Sequence, residues 1–295
     1  MEEGTLSKFI ILTDSSCDLP AAMASELEVE VLPLTVYIEG DNYRNYLDGR
    51  EIGFHDFYQR LQTAKNVKTS AVNQAQFLEV LEPMVAAGND VLYLGFSSGL
   101  SGTYNAGALA VRELSERYPQ RKVYAVDTLC ASLGQGLLVY LCCMKRREGA
   151  TIEEVRDYAE ATKLHLCHWF TVDDLMFLKR GGRVSAATAI VGSMLSIKPV
   201  MHVDDEGHLI KVDTARGRKA SIRALVAEME KRGIDLPNQH IFISHGDCED
   251  DASYLAKLIR EKFPVKDITI NYVGPVIGAH SGPGTLALFF LGAKR

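Results

Sequence analysis

The chain contains 295 residues, 47% of them hydrophobic, and this composition excludes a disordered protein because the apolar side chains suffice for a sizeable core. A net charge of −6 argues against proteins that bind nucleic acid or anionic membranes by electrostatic attraction. No stretch reaches the apolar length of a transmembrane segment, and the acidic start at Met1–Glu3 is unlike a signal peptide. Six cysteines without a C-x-x-C pair are typical of reduced thiols. We therefore expect a cytoplasmic globular protein.

Predicted strands and helices alternate along the first half of the chain. Short apolar runs predict strands at 9–13, 29–38, 90–96 and 122–126. Amphipathic stretches predict helices at 21–27, 52–61, 74–87, 104–117 and 132–147. A polar loop is expected at 39–50. This alternation is typical of a largely parallel sheet that is flanked by helices.

The second half of the chain has a different pattern. Thr151 and Glu154 form a predicted capping box at the start of a helix that runs towards residue 165. The segment Asp204–Gly207 predicts a hairpin between strands at 198–203 and 209–213. The other elements predicted here are a helix after Arg183 that extends to about Leu195, helices at 219–232 and 252–262, and strands at 239–244 and 268–273.

The antiparallel hairpin indicates a second sheet that is separate from the parallel one. We therefore predict an α/β fold with two α/β domains, residues 1–155 and 156–295. The first domain has a mostly parallel sheet flanked by helices, and the second has a mixed sheet with helices.

The segment Gly95–Gly99 reads G-x-S-x-G and lies between a predicted strand and a predicted helix. This is the context of the nucleophilic serine in α/β-hydrolases, so a serine hydrolase of acyl esters that uses Ser97 and His280 is one alternative. Two features oppose it, since Leu100–Gly102 prolongs the loop and no HGGG-type segment lies upstream. A hydroxyl-rich loop that binds an anion through backbone N–H groups is the simpler interpretation.

Two other segments carry side chains suited to ligand binding. The hydroxyl cluster Lys68–Ala71 precedes a predicted helix, so both hydroxyl clusters are expected at strand-to-helix junctions of the first sheet, where α/β proteins bind ligands. Ser70 or Asn73 is interpreted as the N-cap of that helix. In Gly278–Gly284, glycines flank His280, which indicates a close approach of the backbone to another group. A structural histidine is the alternative.

The sequence offers no convincing metal or nucleotide site. His165, Cys167 and His168 form H-x-C-H, but no second pair has zinc spacing. The chain has no Walker A motif and no G-x-G-x-x-G after a strand, so we predict neither a metal nor a nucleotide cofactor. The basic strings Lys179–Arg183 and Arg216–Lys219 are either phosphate-binding or solvated turns, and their interleaved glycines favour phosphate.

Together, five motifs resemble those of the DegV family, in the family's order and over essentially the whole chain. They are Thr13–Pro20, Thr69–Ser70, Ser97–Asn105, Lys179–Ser185 and His280–Thr285. The resemblance implies two α/β domains that hold a long-chain fatty acid, such as palmitate, in a tunnel between them. It also implies a non-catalytic subunit of bacterial fatty acid kinase, which presents the carboxylate to a separate ATP-binding subunit. The acyl phosphate would then pass to phospholipid synthesis.

The resemblance also assigns the residues around the carboxylate, position by position. Thr69 and Ser101 match the family's carboxylate-binding threonine and serine, and Ser98 is a secondary candidate. His280 matches the histidine near that head group. The chain departs from the family at Ala71–Asn73, where Gln-Pro is usual. The departure keeps the hydroxyls of Thr69 and Ser70, but the resemblance does not define the conformation of this loop.

Basic residues complete the set that the resemblance implies. Arg183 and either Arg216 or Arg218 match residues that face the acyl phosphate or the kinase subunit. A further class of function is a scaffold that binds acyl lipid only as a regulatory signal.

Overall fold

The computed structural model describes residues 9–185 and 196–295, so most of the helix predicted to end near Leu195 lies outside the described residues. The strands are β1 (Phe9–Asp14), β2 (Val29–Leu32), β3 (Thr35–Ile38), β4 (Asp41–Arg44), β5 (Val67–Ser70), β6 (Asp90–Gly95), β7 (Val123–Asp127), β8 (Leu166–Thr171), β9 (Ile197–Val203), β10 (Leu209–Arg216), β11 (His240–His245), β12 (Asp267–Tyr272) and β13 (Leu286–Leu291). The helices are α1 (Ala21–Glu26), α2 (Phe54–Thr63), α3 (Gln74–Ala86), α4 (Thr103–Arg117), α5 (Leu133–Arg147), α6 (Ile152–Thr162), α7 (Leu175–Arg180), α8 (Arg218–Arg232), α9 (Glu249–Lys262) and α10 (Pro275–Ser281).

Four strands of the first half form a parallel sheet in the order β2-β1-β6-β7. Successive side chains of a strand point to opposite faces, and β6 shows this clearly. Leu92 and Leu94 join a core with α5, whereas Val91 and Tyr93 join another core with α3 and α4. Helices therefore cover both faces of the sheet, and the predicted parallel sheet flanked by helices is confirmed.

A second, three-stranded antiparallel sheet has the order β4-β3-β5. The extended segment predicted at 29–38 is divided between the two sheets, and β4 lies within the expected polar loop at 39–50. Thr69 belongs to β5, where it is paired with Val36 of β3. The expectation that Thr69 lies at a strand-to-helix junction of the parallel sheet is therefore wrong, because β5 pairs with β3 instead.

The second half forms a six-stranded mixed sheet in the order β10-β9-β8-β13-β11-β12. Its neighbours are antiparallel except for β11 and β12, and β9 and β10 form the predicted hairpin, with Leu209 opposite Val203. The two α/β domains predicted from the sequence are thus present. The exact boundary near residue 155 stays a prediction.

Helix α5 packs between the two large sheets. It contacts β1 and β6 of the parallel sheet and β8, β11 and β13 of the mixed sheet. Most of its side chains are therefore buried, including Cys142 and Cys143. At Gly134, a Cβ would lie 2.1 Å from Nε2 of His168, so this close approach of α5 to β8 requires glycine.

No helix within the described ranges combines the length and the apolar character that crossing a bilayer requires.

Candidate functional site

A cavity with about 980 Å³ of empty space, including its opening to solvent, is lined by both halves of the chain. Apolar residues that line it are Leu34, Phe96, Leu100, Phe170, Leu178, Val203, Leu209, Val273, Val276, Ile277 and Phe289. The wall is mostly apolar with a few polar groups, which is the usual composition of a small-molecule site. Such a cavity suits a ligand with a long apolar part.

One group of polar residues on this wall contains residues predicted from the sequence. Thr69 on β5, Ser101 before α4, Arg183 after α7 and His280 on α10 all line the cavity. Thr69 Oγ1 lies 2.8 Å from His280 Nε2, although the two residues are 211 positions apart in the chain. We call these four residues the polar cluster.

Burial lowers the pKa of His280 to about 4, with a further contribution from the positive charge of Arg183. The imidazole is therefore neutral at neutral pH and carries one ring proton. With that proton on Nε2, His280 donates to Thr69 Oγ1, and the hydroxyl proton of Thr69 is free to donate to an anion in the cavity.

Ser101 is arranged in a similar way. The backbone N–H of Thr103 donates to Ser101 Oγ at 3.2 Å, and Thr103 Oγ1 lies 2.9 Å from the same oxygen. When Thr103 donates in this pair, the proton of Ser101 is also free. The polar cluster can therefore offer two hydroxyl donors to a carboxylate without a buried lysine.

Arg183 connects the polar cluster to the surface. Its Nε donates to the carbonyl of Leu100 at 3.1 Å, and partial burial lowers the pKa of its guanidinium. Gly181 makes room for the histidine beside it, because a Cβ there would lie 2.3 Å from His280 Nδ1.

A second cavity adjoins the first and shares Thr69, Arg183 and His280 with it. Its charged lining residues are all basic: Lys65, Lys68, Arg180 and Arg183. This basic cavity, as we call it, is an exception in a chain of net charge −6. It can attract an anionic group next to the polar cluster.

The structure does not bring together the two residues of the hydrolase alternative. Ser97 is buried and does not line the cavity; its Oγ donates to the carbonyl of Gly207 at 2.9 Å. His280 Nε2 instead contacts Thr69. Ser98 is exposed and lies outside the cavity wall, with its backbone N–H donating to Asp127.

Neither Arg216 nor Arg218 lines one of these two cavities. Arg216 is exposed at the end of β10. Arg218 forms an ion pair with Asp251, with Nε 2.7 Å from Oδ2, and lies 3.7 Å from Asp173. Among the basic candidates, only Arg183 therefore contributes to the site that the structure describes.

The histidines of the H-x-C-H segment have structural partners. His168 Nδ1 lies 3.1 Å from the carbonyl of Leu166, and the backbone N–H of Ala131 donates to Nε2 at 3.4 Å. Burial lowers the pKa of His168 well below its usual value. The described part of the chain contains no group of three or more side chains placed to hold a metal ion.

Sequence reasoning missed a further polar group at the cavity. Ser132 and Ser244 line the wall, and Ser132 Oγ lies 2.6 Å from Oδ2 of the buried Asp18. Burial raises the pKa of Asp18 to about 8. Asp18 belongs to the motif at 13–20, but its contact with Ser132 spans 114 positions and has no local signal.

Comparison with known proteins gives a consistent result. The family model described as "Uncharacterised protein, DegV family" matches residues 8–293. DegV domain-containing protein CPE0026 of Clostridium perfringens is 48% identical over 98% of this chain and 99% of its own length. A DegV family protein of Thermus thermophilus described as fatty-acid-binding is 30% identical, with a TM-score of 0.87 over 97% of this chain and 99% of that one. A DegV lipid binding protein of Thermotoga maritima is 31% identical, with a TM-score of 0.85 over 98% and 99%.

Proposed function

The chain belongs to the DegV family, and we propose that it binds one long-chain fatty acid, such as palmitate, in the cavity between its two halves. The observation that carries this proposal is the position of the polar cluster on the wall of a mostly apolar cavity. The fatty acid binding described for the relative from Thermus thermophilus supports it.

In this proposal the carboxylate accepts hydrogen bonds from Thr69 and Ser101. His280 remains neutral and fixes the direction of the Thr69 hydroxyl, while the positive charge of Arg183 stabilises the anion. The alkyl chain lies along the apolar wall, where each buried methylene contributes about 0.8 kcal/mol before the costs of binding. The chain itself carries out no reaction on the ligand.

The experiment that tests this proposal is mass spectrometry of an organic extract of the purified protein. We expect a long-chain fatty acid at about one molecule per chain. Recovery of no acid, together with no binding of added palmitate, would refute the proposal. Turnover of acyl esters that is abolished by Ser97→Ala would favour the hydrolase alternative.

We further propose that a separate ATP-binding kinase subunit phosphorylates the bound carboxylate, and that the acyl phosphate serves phospholipid synthesis in the cytoplasm. The basic cavity supports this step, because cations beside the carboxylate stabilise the charge that a phosphate group adds. The six cysteines are free thiols, which agrees with a reducing compartment.

The basic cavity provides the test of the kinase proposal. Lys65 and Lys68 are exposed residues of the basic cavity outside the polar cluster, so replacing both with glutamine should leave fatty acid affinity nearly unchanged. Phosphorylation by an added kinase subunit should fall by about tenfold or more, since two charges near the phosphate are lost. Lys257→Gln on α9 is the matched control, because this lysine is exposed and lies outside both cavities. Equal phosphorylation rates for the double variant and the control would contradict the proposal.

A further inference from the structure

A second group of hydroxyl side chains lies on the cavity wall. It takes no part in the carboxylate binding that we propose for the polar cluster. Ser132 Oγ lies 2.6 Å from Asp18 Oδ2 and 3.0 Å from Ser244 Oγ, so the three side chains form a hydrogen-bonded row. Ser132 and Ser244 line the cavity. Ser244 has 0% of its surface exposed, so bulk water does not serve as its partner.

Ser281, next to His280 on α10, is another such hydroxyl. It lines the same cavity and is 5% exposed. Its Oγ is buried and has no hydrogen-bond partner within the described residues. A buried hydroxyl without a partner is destabilising, so a ligand that supplies the partner gains affinity.

Ser244 also has a hydrogen-bonding function that the row does not use. When Asp18 is protonated, it donates to Ser132, Ser132 donates to Ser244, and the proton of Ser244 has no acceptor in the row. When Asp18 is ionised, the direction reverses and a lone pair of Ser244 is free instead. Ser244 therefore presents one unused hydrogen-bonding function in either state.

Apolar residues share the cavity wall with Ser244. Val273, Ala287 and Phe289 line the cavity with it, and Ala287 is the register partner of Ser244 in the mixed sheet. A plain alkyl chain fits such a wall but leaves Ser281 Oγ without a partner and one hydrogen-bonding function of Ser244 unused. A polar group at the matching carbon of the chain can supply a missing partner while the rest of the chain keeps its apolar contacts.

We propose that the cavity prefers a fatty acid whose chain carries a hydroxyl or oxo group, and that Ser244 and Ser281 bind this group. The inference rests on the proposed fatty acid binding and specifies its substrate class. Asp18 acts as a positioning residue, because it orients the Ser244 hydroxyl through Ser132 and does not itself line the cavity.

The test measures competition against a fluorescent fatty acid, with stearic acid and a series of hydroxystearic acids that differ in hydroxyl position. We expect at least one positional isomer to bind about threefold to tenfold more tightly than stearic acid, as one net hydrogen bond allows. Ser244→Ala and Ser281→Ala should each reduce or reverse this preference, because the ligand hydroxyl is then buried with fewer partners.

The control variant is Ser115→Ala on α4, whose hydroxyl donates to the carbonyl of Val111 and lies outside the cavity wall. It should keep the preference of the wild-type chain. If stearic acid binds and no hydroxystearic acid binds more tightly, the inference is wrong while fatty acid binding stands. If neither ligand binds, the proposed function itself fails. If Ser281→Ala weakens the binding of stearic acid and of hydroxystearic acid equally, Ser281 does not bind the chain hydroxyl and acts with the polar cluster instead.

Discussion

At the scale of single residues, the contact between Thr69 and His280 determines whether the Thr69 hydroxyl can donate to a ligand. The neutral imidazole leaves the Thr69 hydroxyl free to donate, and Ser101 supplies a second donor. Hydroxyl donors suit a carboxylate, and their removal weakens the binding of a negatively charged ligand more than that of a neutral one. A comparison of charged and neutral ligands therefore distinguishes side chains that bind the carboxylate from side chains that only shape the cavity.

Thr69→Val and Ser101→Ala should each weaken binding of a long-chain fatty acid by about tenfold to a hundredfold, because a hydrogen bond to a charged group contributes about 1.5–3 kcal/mol. The methyl ester of the same acid should be much less sensitive. Titration of both ligands against both variants measures the difference. Equal losses for acid and ester would mean that these side chains shape the cavity and do not hold the carboxylate. The double variant should lose less than the sum, since both hydroxyls share one acceptor.

The sequence alone identifies the chemical types of these residues better than their positions in space. Ser97 illustrates the limit, because its G-x-S-x-G context is that of a nucleophile while its hydroxyl is bound to Gly207. The pairing of Thr69 with His280 follows from the packing of α10 against β5, which no local pattern contains. The family resemblance supplied both residues, and the roles assigned to them stay predictions until binding is measured.

Helices and strands differ in how well local rules predict them. The capping box Thr151–Glu154 begins α6 as expected, because the capping hydrogen bonds are local. Of the two predicted N-caps of α3, Asn73 is the one observed, and Gln76 completes a capping box with it. Strand β5 was missed, since four residues become a strand only by pairing with β3. Strand β8 was missed as well, because a fully buried central strand shows no alternation.

At the scale of elements, the approach of α7 to α10 depends on Gly181. Gly181→Ala places a methyl group 2.3 Å from His280 Nδ1 in the present packing, so the imidazole has to move away from Thr69. We expect fatty acid affinity to fall several-fold or more, with a smaller change in the free energy of unfolding. Gly53→Ala is the matched control, because its Cβ would make only ordinary contacts with Asp56. An unchanged affinity in Gly181→Ala would show that the position of His280 is not critical.

At the scale of the whole molecule, Asp18 joins the two halves. Its side chain contacts Ser132, and its carbonyl accepts a hydrogen bond from Asn271 on β12 at 2.8 Å. Burial raises its pKa from 3.8 to about 8, so the folded chain keeps a proton that the unfolded chain loses above about pH 4. Folded stability therefore falls as the pH rises through this window.

Asp18→Asn removes this penalty, because an amide does not ionise. The free energy of unfolding of the variant relative to the wild type should increase with pH, by up to about 1.4 kcal/mol per pH unit between about pH 4 and 8. Urea unfolding of both chains at several pH values measures it. If the free energies of unfolding of the two chains change with pH in parallel, Asp18 is ionised in the folded protein and its environment is more polar than the structure indicates.

The packing of α5 against the first half turns its cysteines into internal reporters of local opening. Arg146, one turn after Cys142, donates hydrogen bonds to the carbonyls of Phe9 and Leu27, so this face of α5 is covered by the first half. Burial raises the pKa of Cys143 to about 11 and that of Cys142 well above its usual value, so both thiols are shielded and poorly nucleophilic in the folded protein. Alkylation of α5 should thus proceed only as fast as the first half opens around it. Added fatty acid, which contacts the first half in the proposed complex, should slow that alkylation as its occupancy rises. Mass spectrometry of labelled peptides would then record how often this half opens, with no fluorescent group attached to the ligand.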